Sequence, residues 1–158
     1  MNDMSTAEVV SQAITVSEVS DQARMNFLPK FFGGQMMNVE NIYCALARKG
    51  MIPGYTGGYL TFYILTAGDK QLPIILPSQS PDMLTIVNPL FKTECTLPAM
   101  LAGLTATAIA LLVTIDSVRG CPSELQEKLI DLYHDMIGVG HEYAEQLGVA
   151  NEYFHFVD

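Results

Sequence analysis

Cys95-Thr96-Leu97-Pro98-Ala99-Met100-Leu101-Ala102-Gly103-Leu104-Thr105-Ala106-Thr107-Ala108-Ile109-Ala110-Leu111-Leu112-Val113-Thr114-Ile115 is a run of twenty-one residues without one charge. A transmembrane helix needs about 20 apolar residues, so length alone admits a span. Composition argues against it. Ala, Gly and Thr dilute the run, and neither flank is basic, so nothing sets an orientation across a bilayer. Helices that are apolar all round are also the buried helices of globular domains. Small residues let a sheet or a second helix come close. The run therefore reads as a central buried helix, about residues 98–117, with Pro98 as its first residue and Gly120-Cys121-Pro122 beyond its end.

Upstream of it lie short extended segments. Tyr59–Thr66 is rich in aromatic and β-branched residues and predicts a strand. Ala67-Gly68-Asp69-Lys70 makes the turn into a second strand, Leu72–Leu76, where Pro73 demands an edge or a bulge. Met83–Val87 and Phe91–Thr96, parted by Asn88-Pro89, predict two more. Four short strands with tight links predict an antiparallel meander. Before them, Val39, Ile42, Tyr43 and Leu46 keep helical spacing, which predicts a helix over 39–49 with Asn38 as N-cap and Gly50 just past its end.

Downstream, Ser123 and Gln126 have capping-box spacing. Leu125, Leu129, Leu132, Met136, Val139, Tyr143 and Leu147 form one apolar stripe of a long final helix, with Glu124, Glu127, Asp131, Asp135, Glu142 and Glu145 on its other side. Gly138 and Gly140 predict a bend midway. Tyr153, Phe154, Phe156 and Val157 are expected to fold back onto the core. The fold class is thus α+β: one compact domain, a meander of about four strands packed with helices, one buried central helix and a long acidic C-terminal helix. Residues 1–23 predict an acidic N-terminal tail, loosely ordered or a short helix, with capping-box spacing at Ser5-Thr6-Ala7-Glu8. The domain proper is placed at 24–158.

The whole chain has 158 residues, 49% hydrophobic and 16% charged, which excludes a disordered protein. Its net charge of −9 is unevenly spread. Residues 1–23 hold four acids and no base, 24–115 six bases against four acids, and 116–158 nine acids against two bases. A phosphate backbone needs clustered Lys and Arg, so stable nucleic-acid binding is not expected. Cys44, Cys95 and Cys121 form no C-x-x-C pair and read as reduced thiols of a cytoplasmic protein. The first ten residues lack the basic start and apolar run of a signal peptide.

Catalytic patterns are thin. His134 and His141 stand two helical turns apart, about 10 Å, too far for one metal ion to bridge. No H-E-x-x-H or G-x-S-x-G occurs. Gly54-Tyr55-Thr56-Gly57-Gly58 lacks the Lys-Ser/Thr ending of a phosphate loop and leads into a strand. No metal, cofactor or catalytic residue is assigned. The acidic helix raises DNA mimicry, and the charge density answers it. Over the roughly 37 Å of residues 124–148 a duplex carries about twenty phosphates. Six carboxylates less Lys128 fall well short of that. The helix is better suited to docking a basic protein surface.

Several segments together resemble the ArdB/KlcA antirestriction proteins. Phe27-Leu28-Pro29-x-x-Phe32-Gly33 is followed by Tyr55-x-Gly57-Gly58-Tyr59-x-x-Phe62-Tyr63-x-Leu65, then Ala102-Gly103-Leu104, Leu129-Ile130-x-x-Tyr133, His141 and a late aromatic before Asp158. The resemblance covers about residues 24–158. It departs from the family at Leu60, where relatives often carry Trp, and at Ala67-Gly68, where Asn-Gly is common. The resemblance implies a cytoplasmic protein of plasmids and mobile islands that inhibits type I restriction–modification enzymes, without catalysis and without simple DNA mimicry. Within that reading Asp131, Asp135, Glu142 and Glu145 are the candidate contacts to a basic subunit. Phe27, Leu28, Pro29, Gly33, Tyr55, Gly57, Gly58, Tyr59, Phe62 and Tyr63 are assigned to structure. Two other classes compete. A small hydrolase or nuclease-like enzyme needs a carboxylate–His cluster in a pocket. A direct DNA-binding protein needs Arg24, Lys30, Arg48, Lys49 and Lys92 to converge.

Overall fold

The computed structural model describes residues 13–118 and 124–157. Along the chain, β1 (Ile14–Glu18) leads to α1 (Arg24–Phe32) and α2 (Met36–Leu46), joined by one 3-10 turn. After a π-helical turn at Ala47–Met51 come β2 (Leu60–Ala67), β3 (Lys70–Pro77), β4 (Met83–Val87) and β5 (Glu94–Pro98). Three helices follow: α3 (Ala99–Ser117), α4 (Glu124–Gln146) and α5 (Ala150–Val157).

The uncharged run is α3, with Pro98 just before the first turn, not inside it. Nearly every residue from Leu101 to Leu111 is buried. Thr105 and Thr107 lie in that stretch and the buried Thr114 just beyond it, and a buried hydroxyl without a partner is costly. Thr105, Thr107 and Thr114 each donate to the carbonyl one turn back, on Leu101, Gly103 and Ala110, at 2.7, 2.7 and 2.8 Å. That internal pairing lets a Thr-bearing helix sit in the core. Gly103 marks the closest approach to the sheet: a Cβ there would stand 2.6 Å from Leu76 Cγ and 2.8 Å from Ile74 Cγ2.

The strands differ from a single meander. β1, β2 and β3 form one antiparallel sheet in that order, with Val16 opposite Leu65 and Tyr63 opposite Ile74. β4 and β5 form a separate hairpin. The reason lies at the outer edge of β3. Ile75 turns its peptide groups away from β2, and side chains from two helices take them. Its amide donates to Thr107 Oγ1 at 2.9 Å, and its carbonyl accepts the Tyr43 hydroxyl at 2.7 Å. No fourth strand can dock where those groups are already bonded. Pro73 sits on this edge strand, as its missing N–H requires.

Part of the stretch expected as tail is the first strand. Residues 1–12 lie outside the described residues, but Ile14–Glu18 pairs along β2, and Val19 N donates to Phe62 O at 2.8 Å. Ile14, Val16 and Val19 turn inward. Ile14 and Val16 alternate with Thr15 and Ser17, a strand signal that the surrounding acids obscure. Two further expectations need correction. The helix predicted over 39–49 begins at Met36, so Asn38 is inside it, where its amide donates to Gln35 Oε1 at 2.6 Å. α4 is helical through Gly138 and Gly140, and Gly140 forms a notch, for a Cβ there would press into the Tyr153 ring, 2.8 Å from Cζ. Phe91 is not in a strand: β5 starts at Glu94, and Leu90 and Phe91 form an exposed turn. The capping boxes at Ser5 and Ser123, the stop at Gly120-Cys121-Pro122 and the terminal Asp158 fall outside the described residues.

Candidate functional site

Two regions carry the residues singled out by sequence: the aromatic–glycine stretch leading into β2, and the acidic face of α4.

In the first, Phe27 of α1 and Phe62 of β2 stack ring on ring, with centroids 4.5 Å apart and planes 8° from parallel. Both are buried. The Arg24 guanidinium covers Phe62 at 4.4 Å and Tyr59 at 4.6 Å. The cation is held by aromatic faces, an arrangement worth about 0.5–1 kcal/mol at an exposed site. Tyr59 is itself 66% exposed, and its carbonyl accepts Ser78 N at 2.9 Å. The loop before it turns through Gly57 and Gly58, at φ 111° and 133°, a backbone region that side chains avoid. A Cβ on Gly57 would also stand 3.2 Å from Arg48 Nη2. The Tyr55 hydroxyl donates to Gly58 O at 3.3 Å and clamps the loop. Burial pushes the Tyr55 phenol upward from 10.0, as do the nearby and hydrogen-bonded Cys44, while Arg48 pulls the other way. Tyr63, on the opposite side of β2, is raised by burial and by Glu18 across the strand pair. Leu28 is half-buried, Pro29 exposed, and Gly33 faces Leu125. Eight of the ten motif positions are placed by packing or backbone geometry, whereas Pro29 and Tyr59 lie exposed.

On α4, Asp131, Asp135, Glu142 and Glu145 fall along one stripe by helical spacing. Their surroundings differ. Asp131 and Glu145 are exposed. Asp135 pairs with Lys70 at 3.0 Å, both side chains about half exposed. That bond and charge raise the Lys70 ammonium above its ordinary range. Glu142 is half-buried, with Oε2 shielded from solvent and without a hydrogen bond among the described residues. The pairing at Asp135 lowers the free charge of the stripe further below that of DNA. Of the two helical imidazoles, His134 is exposed beside Tyr133, but His141 is half-buried between Tyr153 and Phe154, with centroids at 5.2 and 4.4 Å. It joins α4 to α5.

Among the described residues, no three His, Cys, Asp or Glu side chains converge as a metal site would require. The basic residues scatter as well. Arg24 lies on the aromatic stack, Lys30 Nζ donates to Gln71 Oε1 at 2.7 Å, and Arg48 lies beside Gly57. Lys49 and Lys92 line a common cleft, beside the exposed Leu90. Sequence reasoning missed that cleft because it placed Phe91 in a strand. The available signal was Asn88, whose side chain favours a turn.

This α+β arrangement, with a carboxylate stripe along α4, is that of a small acidic protein. No protein-family model matches the chain. It is 31% identical over 141 residues to the antirestriction protein KlcA of Escherichia coli, covering 84% of this chain and 91% of that one. Its fold matches a solved structure of the KlcA and ArdB proteins with a TM-score of 0.66 and 25% identity, over 92% of this chain and 98% of the other. That fold was described as novel, and those proteins as having antirestriction activity against type I DNA restriction systems in vivo but not in vitro. The chain belongs to the ArdB/KlcA antirestriction family.

Proposed function

We propose that this protein relieves type I restriction in the cell and so protects incoming mobile DNA. The observation that carries the reading is its 31% identity to KlcA across 84% of the chain, together with the shared fold. Its action is non-catalytic in this reading. It works in the cytoplasm, where type I enzymes meet unmodified DNA. Its target is a type I restriction–modification enzyme, reached through a further cellular component. Activity of the KlcA and ArdB proteins in vivo but not in vitro supports that indirect route. Asp131, Asp135, Glu142 and Glu145 form the docking stripe for a basic surface, with Asp131 and Glu145 the most accessible.

The test is phage plating on hosts that carry a type I system, with and without the protein. Protection raises the plating of unmodified phage by at least tenfold. Unchanged restriction across several type I families overturns the reading. Asp131→Lys with Glu145→Lys then tests the stripe: a folded variant that protects fully removes those two residues from the contact.

A further inference from the structure

The β4–β5 hairpin ends in Asn88-Pro89-Leu90-Phe91-Lys92, where Leu90 is 72% and Phe91 73% exposed. The tip is firmly built. Asn88 Oδ1 accepts the amides of Leu90 at 2.8 Å and Phe91 at 3.2 Å. Asn88 N donates to Thr93 O, and Lys92 N to Asn88 O, both at 2.8 Å. Lys92 closes the turn at φ 59°, a conformation a lysine rarely adopts. Strain and four hydrogen bonds thus hold two large apolar side chains out in water. Such features mark contact surfaces more often than accidents of folding.

Clefts open on both sides of the tip. One, of about 430 Å³, is lined by Leu46, Met51, Leu90 and Val113, with Lys49 and Lys92 on its rim. A second, of about 120 Å³, runs between the tip and α3 over Ile109, Tyr133 and Ile137. Leu112, 40% exposed, lies on its border. Neither Lys49 nor Lys92 has a carboxylate partner among the described residues, in a chain of net charge −9. An apolar cleft rimmed by two unpaired ammonium groups is complementary to an apolar segment that carries carboxylates.

We propose that the β4–β5 tip and its flanking clefts dock an acidic amphipathic segment of a partner protein. Its apolar side chains would enter beside Leu90 and Phe91 and its carboxylates would meet Lys49 and Lys92. Spaced apolar anchors in a groove are a common way to read such a segment. A rigid tip loses little freedom on binding. Two ammonium groups on a small apolar cleft suit a short acidic segment, whereas a nucleic-acid backbone or an anionic lipid surface calls for a wider basic patch. This partner is the cellular component invoked above, so its role in protection rests on that reading, whereas the docking itself does not.

Two arms separate the two claims. In the first, p-benzoylphenylalanine replaces Phe91 in growing cells that carry a type I system, with Met37, 62% exposed, as the control position. We expect a protein adduct from position 91 only, mapping to an apolar segment with Asp and Glu in excess. Its yield should fall at least tenfold with Lys49→Glu and Lys92→Glu. No adduct, an adduct to a second copy, to a segment lacking acidic excess or to nucleic acid, or a yield indifferent to charge reversal overturns the proposal. So does flotation with phosphatidylglycerol vesicles that depends on Leu90 and Phe91. In the second arm, Leu90→Ser with Phe91→Ser, confirmed folded, should cut phage protection at least tenfold. Full protection by that variant overturns the proposal while the antirestriction reading stands. Failure of the wild type to protect defeats that reading, and the crosslinking arm then decides the docking alone.

Discussion

The phenol of Tyr43 reaches from α2 to donate a 2.7 Å hydrogen bond to the carbonyl of Ile75, thirty-two residues along the chain. Tyr43 is fully buried, and Thr107 takes the Ile75 amide from the other helix. One residue of the edge strand is thereby pinned through both its amide and its carbonyl. Tyr43→Phe leaves that carbonyl buried without a partner, which costs about 1–3 kcal/mol. Urea melts should show the loss as a lower midpoint with an unchanged slope.

Alkaline pH acts on the same residue. Burial holds the Tyr43 phenol well above 10.0, with Cys44 and Tyr55 adding to the shift. Burial also raises Tyr133 and Tyr143. A group whose folded value is raised contributes stability that is present in full below its unfolded value and lost as pH climbs toward the folded one. Stability should therefore fall above about pH 10, and less steeply in Tyr43→Phe. Melting temperatures between pH 8 and 11 check this, and equal slopes for the two proteins would refute it.

The Phe27–Phe62 stack ties α1 to the middle of the sheet. Phe62→Ala removes a buried ring and leaves a cavity, at a cost of about 3–5 kcal/mol. Phe62→Leu keeps most of the volume and should cost well under half as much. Denaturant melts of the two variants give the comparison directly.

Gly138 and Gly140 sit on one helix yet should respond in opposite directions. A Cβ on Gly138 meets nothing within 4 Å, so Gly138→Ala gains helix propensity of about 0.5–1 kcal/mol. Gly140→Ala drives a methyl into the Tyr153 ring and should cost about 1–3 kcal/mol. Thermal melts of the pair decide it. A destabilised Gly138→Ala would refute the propensity argument.

Much of the fold was legible in the chain because local rules decide it. An uncharged run with small residues implies a buried helix, and a 3–4 apolar repeat gives α4 its inward face. β-branched and aromatic clusters mark strands. The partition into two sheets was not legible, since it depends on Tyr43 and Thr107 reaching Ile75 from distant helices. β1 escaped notice because Glu18 and Asp21 colour a stretch whose apolar residues alternate. The acidic stripe could be read from spacing, but the tie between Asp135 and Lys70 could not: sixty-five residues separate them. The hairpin tip was hidden for a simpler reason. Phe91 has strong strand propensity, and only the Asn88 side chain overrules it.

The division of the strands has a consequence for how the protein can change. The β4–β5 hairpin pairs only with itself and rests on α3, α5 and the turn at Ala47–Met51. Residues could be added or exchanged at its tip without shifting the register of the other sheet by a single step. The fold thus keeps one sheet as a frame and a hairpin whose tip can vary independently of it.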